Sequence, residues 1–270
     1  MAVRAAAPSS RSPGGRLDSS AAVAALSLLA ALVLGLPVAA LVARALLNGS
    51  LAATAGLPVV LDALALSLAT TAASLVLMVV LGTPLALVLA RRRFRGAFLL
   101  ETVIDLPIVL PPSVAGLALL LLLGRNGALG AELRALGIEL PFTTAAVVIA
   151  QAFIAAPLFI RSARTGFAGV DHDLEDAARV DGASERAVFL RITVPLAGSA
   201  LAAGLVMAWA RALGEFGIIL IVAYYPAGMP VQLWTDVQDL GLQAVFPLVT
   251  VFLLATLPVP LWLSLRARQA

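Results

Sequence analysis

The residues of this chain that can form strong polar contacts are concentrated between residues 171 and 195. This segment, DHDLEDAARVDGASERAVFLRITVP, holds six of the 15 acidic residues and three of the 18 basic ones. Its side chains predict a short helix with Asp173 as N-cap and Asp176 three residues later, ended by Gly182. Ser184 then caps a second, amphipathic helix. Because the segment is too polar to enter a bilayer and lies between two apolar runs, we expect it to meet a soluble partner.

The spacing of these residues resembles the EAA loop in the transmembrane permeases of ABC importers. That loop reads roughly E-A-A, three residues, glycine, then nine residues and I-x-L-P. The chain follows it, except that Asp176 replaces glutamate and Val194 replaces leucine. In that family the loop docks into a groove of a cytoplasmic ATPase and passes its motion to the membrane helices. The resemblance implies a coupling loop at residues 166–195, carried by Asp173, Glu175, Asp176, Ala177, Ala178, Gly182, Ala183 and Pro195. The alternative is a merely solvated loop between two helices.

The composition indicates an integral membrane protein. Hydrophobic residues make up 61% of the chain, charged residues only 12%, and the mean hydropathy is +1.05. All 18 basic residues are arginine, and without lysine the chain has no Walker A motif, so it is not itself a P-loop ATPase. The single histidine, His172, belongs to the charged segment. Because no catalytic constellation is present, we expect neither enzyme activity nor a cofactor in this chain. The resemblance assigns ATP and Mg²⁺ to the partner ATPase.

Long uncharged runs predict the membrane spans. Residues 1–20 are polar and rich in Ala, Ser, Pro and Gly, and they predict a disordered cytoplasmic tail. Residues 21–270 then form one transmembrane domain, which is all-α and polytopic with about six transmembrane helices. The resemblance implies the type I ABC importer permease fold. Residues 230–243 are expected to form an outside loop with a short interfacial helix. The six predicted spans are 21–43, 63–90, 106–124, 140–160, 192–224 and 240–265.

The distribution of arginine predicts the orientation of the chain. With the N-terminus in the cytoplasm, most of the 18 arginines lie in cytoplasmic segments. Arg44, Arg125 and Arg134 fall outside, and Arg211 falls within a span. This asymmetry satisfies the positive-inside rule. We therefore expect a multi-pass protein of the cell (inner) membrane with both termini and the segment 171–195 in the cytoplasm.

Two charged residues lie inside the fifth apolar run. Arg211 and Glu215 are four residues apart, one helical turn, and such charges should face the interior of a bundle or a partner subunit. They form either a paired brace that fixes helix packing or part of the path and its gate. The remaining polar candidates for a pore or gate are Ser113, Thr143, Thr144 and Gln151.

Three further motifs resemble the molybdate, tungstate and sulfate branch of these permeases. They are LPIVLPP at residues 106–112, LGRNG at residues 123–127 and RALGEFG at residues 211–217. Tyr224 and Tyr225, followed by Pro226, favour the molybdate and tungstate members. The resemblance covers about residues 58 to 265. It implies a homodimer in the lipid membrane with two ATPase subunits below and an extracytoplasmic solute-binding protein above. No nucleic-acid partner is expected, because the basic residues lie at the ends of apolar spans, where orientation signals lie. A sulfate or thiosulfate permease is the first alternative, and an ATP-independent secondary transporter is the second.

Overall fold

The computed structural model describes residues 14–47, 58–92, 94–256 and 258–259, and the regular structure in these ranges is helical throughout. The chain divides into two compact units, Met1–Ala52 and Ala53–Ala270. The helices are α1 (Gly14–Leu47), α2 (Pro58–Arg91), α3 (Ala97–Val109), α4 (Pro112–Leu123), α5 (Gly130–Ala135), α6 (Thr144–Ala168), α7 (His172–Val180), α8 (Glu185–Leu196), α9 (Gly198–Leu213), α10 (Gly217–Val222), α11 (Met229–Leu240) and α12 (Phe246–Thr256), with a 3₁₀ turn at Leu242–Val245.

The first unit contains α1, and its apolar part confirms the first predicted span. Residues Ala21–Arg44 are long and apolar enough to cross a membrane. The helix begins at Gly14, seven residues before the predicted span. After Pro13 no proline occurs before Pro37, so nothing prevents the apolar run from extending its helix backwards. Residues 1–13 lie outside the described residues.

In the second unit, α2, α6 and α9 form the centre of the helical bundle. Helix α6 packs along both of the others, and its buried face joins residues of α2 and α9 in one apolar core. Small residues allow α6 and α9 to approach closely: a Cβ at Gly204 would lie 2.7 Å from the Cβ of Ser162, and one at Gly166 would lie 2.7 Å from the Cβ of Ala200. Glycine at these two positions therefore allows the close packing of α6 and α9.

The third predicted span, 106–124, is not one straight helix. Helices α3 and α4 meet at an angle of 117°. Leu110 and Pro111 between them are extended, with ψ values of 136° and 138°. Proline disfavours the helical conformation in the residue before it, so Pro111 and Pro112 together end α3 and start α4 afresh.

The fifth predicted span, 192–224, is wrong as a single helix. Helix α8 bends by 71° into α9, and α9 ends before a short break that precedes α10. Within α8, residues Phe189–Thr193 form a π-helical turn, in which the Val194 amide donates to the Phe189 carbonyl. Pro195 follows this turn and cannot donate a backbone hydrogen bond, so the apolar run starts on α8 at an angle to α9.

The remaining predicted elements are found with shifted bounds. The fourth span is α6, which starts at Thr144 and continues to Ala168. The short helix expected after the fifth span is α11, and its first amide, that of Met229, donates to the Ser67 hydroxyl of α2 over 2.8 Å. The last span corresponds to α12, which begins at Phe246; residues 257 and 260–270 lie outside the described residues.

The described helices confirm an all-α polytopic membrane protein. Three of them, α1, α2 and α6, are individually long and apolar enough to cross a membrane. The bent pairs α3 with α4 and α8 with α9 raise the number to five when each pair counts as one span. Helix α12 is a further, shorter apolar helix.

Candidate functional site

The charged segment folds as the predicted helix, turn and helix, with one correction at its start. The N-cap of α7 is Asp171, not Asp173, because the helix begins at His172. The Asp171 carboxylate accepts a hydrogen bond from the Asp173 amide over 3.0 Å. Asp173 and Glu175 then lie in the first turn, where the positive end of the helix dipole favours acidic side chains.

Gly182 forms the turn between α7 and α8, as predicted. Its φ of +88° is in the left-handed region, which side chains with a Cβ rarely adopt. The Gly182 amide donates to the Arg179 carbonyl over 3.0 Å, and the Ala183 amide donates to the Ala178 carbonyl over 2.9 Å. This pair of bonds is a Schellman motif, which closes the end of α7. The Ser184 hydroxyl then caps α8 by accepting from the Ala187 amide over 3.3 Å.

Helix α7 has two chemically different faces. Asp173, Asp176, Ala177 and Val180 occupy positions i, i+3, i+4 and i+7, and all four are exposed. Val180 keeps 87% of its surface accessible although it is apolar. Glu175 points the other way and keeps only 5% accessible. Among the other predicted coupling residues, Ala178 and Ala183 are half-buried, and Pro195 is exposed.

The inward carboxylate of Glu175 joins three separate elements. Its Oε1 accepts a hydrogen bond from the Arg91 guanidinium over 2.7 Å and one from the Thr193 hydroxyl over 2.5 Å. Arg91 is the last residue of α2, and Thr193 lies in α8. The Arg91 guanidinium also contacts the imidazole of His172, at 2.7 Å from Nε2. We call Arg91, Glu175 and Thr193 the junction.

A second ion-pair group, on the exposed side, holds α7 to α8. The Arg179 guanidinium donates to Asp176 over 2.6 Å and to Glu185 over 2.8 Å. The hydrogen bond and charge of Arg179 hold the pKa of the Glu185 carboxyl below its usual value, and Glu185 with Asp176 raises the pKa of Arg179. Because these groups are exposed, the pair fixes the geometry of the turn more than it stabilises the fold.

Arg211 and Glu215 are in direct contact at the break after α9. The Arg211 guanidinium donates to Glu215 Oε2 over 2.5 Å, and Glu215 Oε1 accepts from the Ile218 amide over 2.7 Å. Only 1% of Glu215 is accessible. Its carboxylate therefore satisfies a free amide in the first turn of α10 while it neutralises an arginine of α9.

The other four pore candidates are not brought together into one polar site. Gln151 is buried between α2 and α6, where its amide accepts from the Ser74 hydroxyl over 3.1 Å and donates to the Thr71 hydroxyl over 3.3 Å. Thr143 caps α6 through the Ala146 amide. The last two candidates, Ser113 at the start of α4 and Thr144 at the start of α6, are exposed.

Sequence reasoning missed Arg91 and Thr193. In the sequence, Arg91 is one of four arginines in a basic cluster at residues 91–95, and Thr193 is a single polar residue shortly before Pro195. The available signal was the position of Glu175 on α7: it lies two residues after Asp173 and two before Ala177, and therefore about 200° around the helix from both. A carboxylate on the inner face of a helix needs a cationic or hydrogen-bonding partner.

The sequence and fold of the chain match known transport proteins. Residues 82–266 match the family model described as "Binding-protein-dependent transport system inner membrane component". A protein of Haloferax volcanii named "Probable molybdenum ABC transporter permease protein" is 42% identical over 158 residues, 58% of this chain and 57% of its own length. The "Molybdate/tungstate transport system permease protein WtpB" of Pyrococcus abyssi is 40% identical over 155 residues, 57% of each chain.

A solved structure shares the fold. It is described as "Crystal structure of an amino acid ABC transporter with histidines" and superposes with a TM-score of 0.54 at 20% identity, covering 79% of this chain and 94% of that one. The chain spans between 51% and 58% of the length of the first four curated relatives that it matches. The family match alone covers more than half of this chain. The chain therefore belongs to the family of binding-protein-dependent transport system inner membrane components.

Proposed function

We propose that the chain is the membrane-spanning permease subunit of an ATP-driven ABC importer for molybdate or tungstate. It works as a homodimer in the cell membrane, with both termini in the cytoplasm. A separate ATPase binds and hydrolyses ATP with Mg²⁺, and an extracytoplasmic solute-binding protein delivers the anion. The names of the relatives from Haloferax and Pyrococcus support this substrate class.

The observation that carries the proposal is the exposed face of α7. Asp173, Asp176, Ala177 and Val180 present two carboxylates and two small apolar side chains on one face, held in place by a capped start and a Schellman end. Two carboxylates and two small apolar side chains on one rigid face can meet a complementary surface of a soluble protein. The buried Glu175 side anchors this face to the membrane helices.

The ion pair of Arg211 and Glu215 acts in this proposal as a brace of the broken span. The carboxylate is fully engaged by Arg211 and by the Ile218 amide, so it has no free charge with which to repel an anion. Selection of the oxyanion falls to the binding protein, and the permease supplies a weakly binding, gated path, because tight binding in the path would slow release.

The test is oxyanion-dependent ATP hydrolysis and uptake in proteoliposomes that contain this chain with its cognate ATPase and binding protein. We expect molybdate- or tungstate-loaded binding protein to stimulate hydrolysis and uptake, and unloaded binding protein to leave them at the basal rate. If only sulfate-loaded binding protein stimulated hydrolysis, the chain would instead be a sulfate or thiosulfate permease. Anion uptake without any ATPase would overturn the proposal in favour of a secondary transporter.

A further inference from the structure

We propose that Glu175 is a positioning residue that makes the docking segment, residues 171–195, move together with α2. The proposal rests on the proposed function, because it concerns how motion of the ATPase reaches the membrane helices. Motion of α7 can pass along the chain to α6 and, through α8, to α9. It cannot pass along the chain to α2 in the same way, because α2 lies far away in sequence. In the junction, Glu175 contacts Arg91, which lies 84 residues before it in the sequence, and Thr193, which lies 18 residues after it.

The burial of the junction makes its contacts strong. The side chain of Glu175 is 6% accessible and that of Arg91 is 15% accessible. A carboxylate withdrawn from water is costly to leave without its cationic partner. Any displacement of α7 that separated Glu175 from Arg91 would incur that cost, so the lower-energy response is for the end of α2 to follow.

Beside the junction, the end of α2 and the docking segment are separated by a cleft. A cleft of about 350 Å³ opens between the end of α2 and the docking segment, with Leu87, Val88 and Arg92 on one wall and Val188 and Phe189 on the other. The two walls are therefore not packed together at that point. The bonds of Glu175 cross this gap to the end of α2, while α8 is also fixed to α6 by the ring contact of Phe189 with Phe167 at 6.2 Å.

The test measures the coupling ratio, the number of anions taken up per ATP hydrolysed, in proteoliposomes with the cognate ATPase and binding protein. The variants are Glu175→Gln, Arg91→Gln and the double variant, and Glu139→Gln is the control because it removes an exposed ion pair with Arg125. We expect each single variant to assemble with the ATPase and to lower the coupling ratio about tenfold, the size of a typical energetic coupling between sites. The control keeps the wild-type ratio.

The double variant separates a link from two independent structural effects. Because Glu175 and Arg91 contact each other directly, we expect the double variant to lower the coupling ratio by much less than the product of the two single losses. The inference would be overturned if the losses of the two single variants multiplied in the double variant, or if the single variants transported with the wild-type ratio. Either result would leave the proposed function intact. Absence of stimulated hydrolysis in the wild-type complex would instead overturn the proposed function.

Discussion

Two buried glutamates of this chain have similar surroundings, but their hydrogen-bond partners lie at very different separations along the sequence. Glu175 and Glu215 are 5% and 1% accessible, and each accepts hydrogen bonds from an arginine and from one further donor. The partners of Glu215 lie four residues before it and three after it. The partners of Glu175 lie 84 residues before it and 18 after it. The same chemistry therefore serves as a local brace in one place and as a link between helices in the other.

This difference indicates what each glutamate contributes. A pair only four residues apart joins neighbouring parts of the chain, so Arg211 at the end of α9 and Glu215 in the break maintain the shape of the break between α9 and α10. A pair between distant segments resists their separation, so Arg91 and Glu175 relate the position of the docking segment to that of α2. Loss of the brace should therefore reduce stability, and loss of the link should reduce coupling.

The largest effect is expected from reversing the charge of the brace. In Glu215→Lys, two positive charges face each other at a nearly inaccessible site and the Ile218 amide loses its acceptor, which costs about 3–5 kcal/mol or more. We expect little folded protein in the membrane, measured by yield and thermal unfolding in detergent. Asp239→Lys, at an exposed position of α11, is the control and should fold normally. A stable Glu215→Lys complex with altered anion preference would assign this pair to the gate instead.

The next effect concerns the turn that shapes the docking segment. Gly182→Val places a β-branched residue at a φ of +88°, which costs about 1–2 kcal/mol or more because of the left-handed backbone. We expect ATP hydrolysis to become uncoupled from uptake, measured in the same proteoliposomes. Gly198→Ala is the matched control, since a Cβ there meets no atom within 4 Å. Normal coupled transport by Gly182→Val would contradict the docking role of the turn.

A smaller effect is expected when only the second donor to Glu175 is removed. Thr193→Val keeps the shape of the side chain but deletes its hydrogen bond to the carboxylate, which is worth about 1.5–3 kcal/mol for a charged acceptor. Because Arg91 remains, the coupling ratio should fall less than in Glu175→Gln. A loss equal to that of Glu175→Gln would show that α8, not α2, is the element that Glu175 holds.

The smallest effect is the pH dependence of the exposed pair of Arg179 and Glu185. Arg179 lowers the pKa of Glu185 in the folded chain, so the pair stabilises the fold above the ordinary pKa of glutamate, about 4.3. That contribution is lost as the pH falls through the lowered pKa. We expect the difference in thermal stability between the wild type and Glu185→Gln to be slight at neutral pH and to vanish in acid. A difference that grows on acidification would contradict the assigned direction.

Local chemistry allowed much of the docking segment to be predicted from sequence. Gly182 and Ser184 act through backbone conformation and a neighbouring amide, and both are where the sequence placed them. The N-cap was misplaced by two residues because Asp171 and Asp173 are both good caps and only the helix start distinguishes them. Pro111 and Pro112 explain why the helix breaks, but the angle of 117° between α3 and α4 depends on packing against other helices.

The long-range contacts could not be read from sequence. Nothing about Arg91 distinguishes it from its neighbours in the basic cluster until α2 and α7 are placed together. Likewise, Gln151 was a reasonable candidate for the path, and only the structure shows its amide engaged by Ser74 and Thr71 inside the subunit. Helical periodicity gives the face of a residue, whereas the partner on that face is a property of the fold.

The docking role of the outer face of α7 can be measured directly, because the chain contains no cysteine. We would label Val180→Cys with a membrane-impermeant maleimide in the purified permease, with and without the cognate ATPase, and use Glu132→Cys, exposed in α5, as the control. We expect the ATPase to protect Val180→Cys strongly and to leave Glu132→Cys fully reactive. Equal labelling of Val180→Cys in the free permease and in the assembled complex would contradict the proposal that this segment is the ATPase-docking surface.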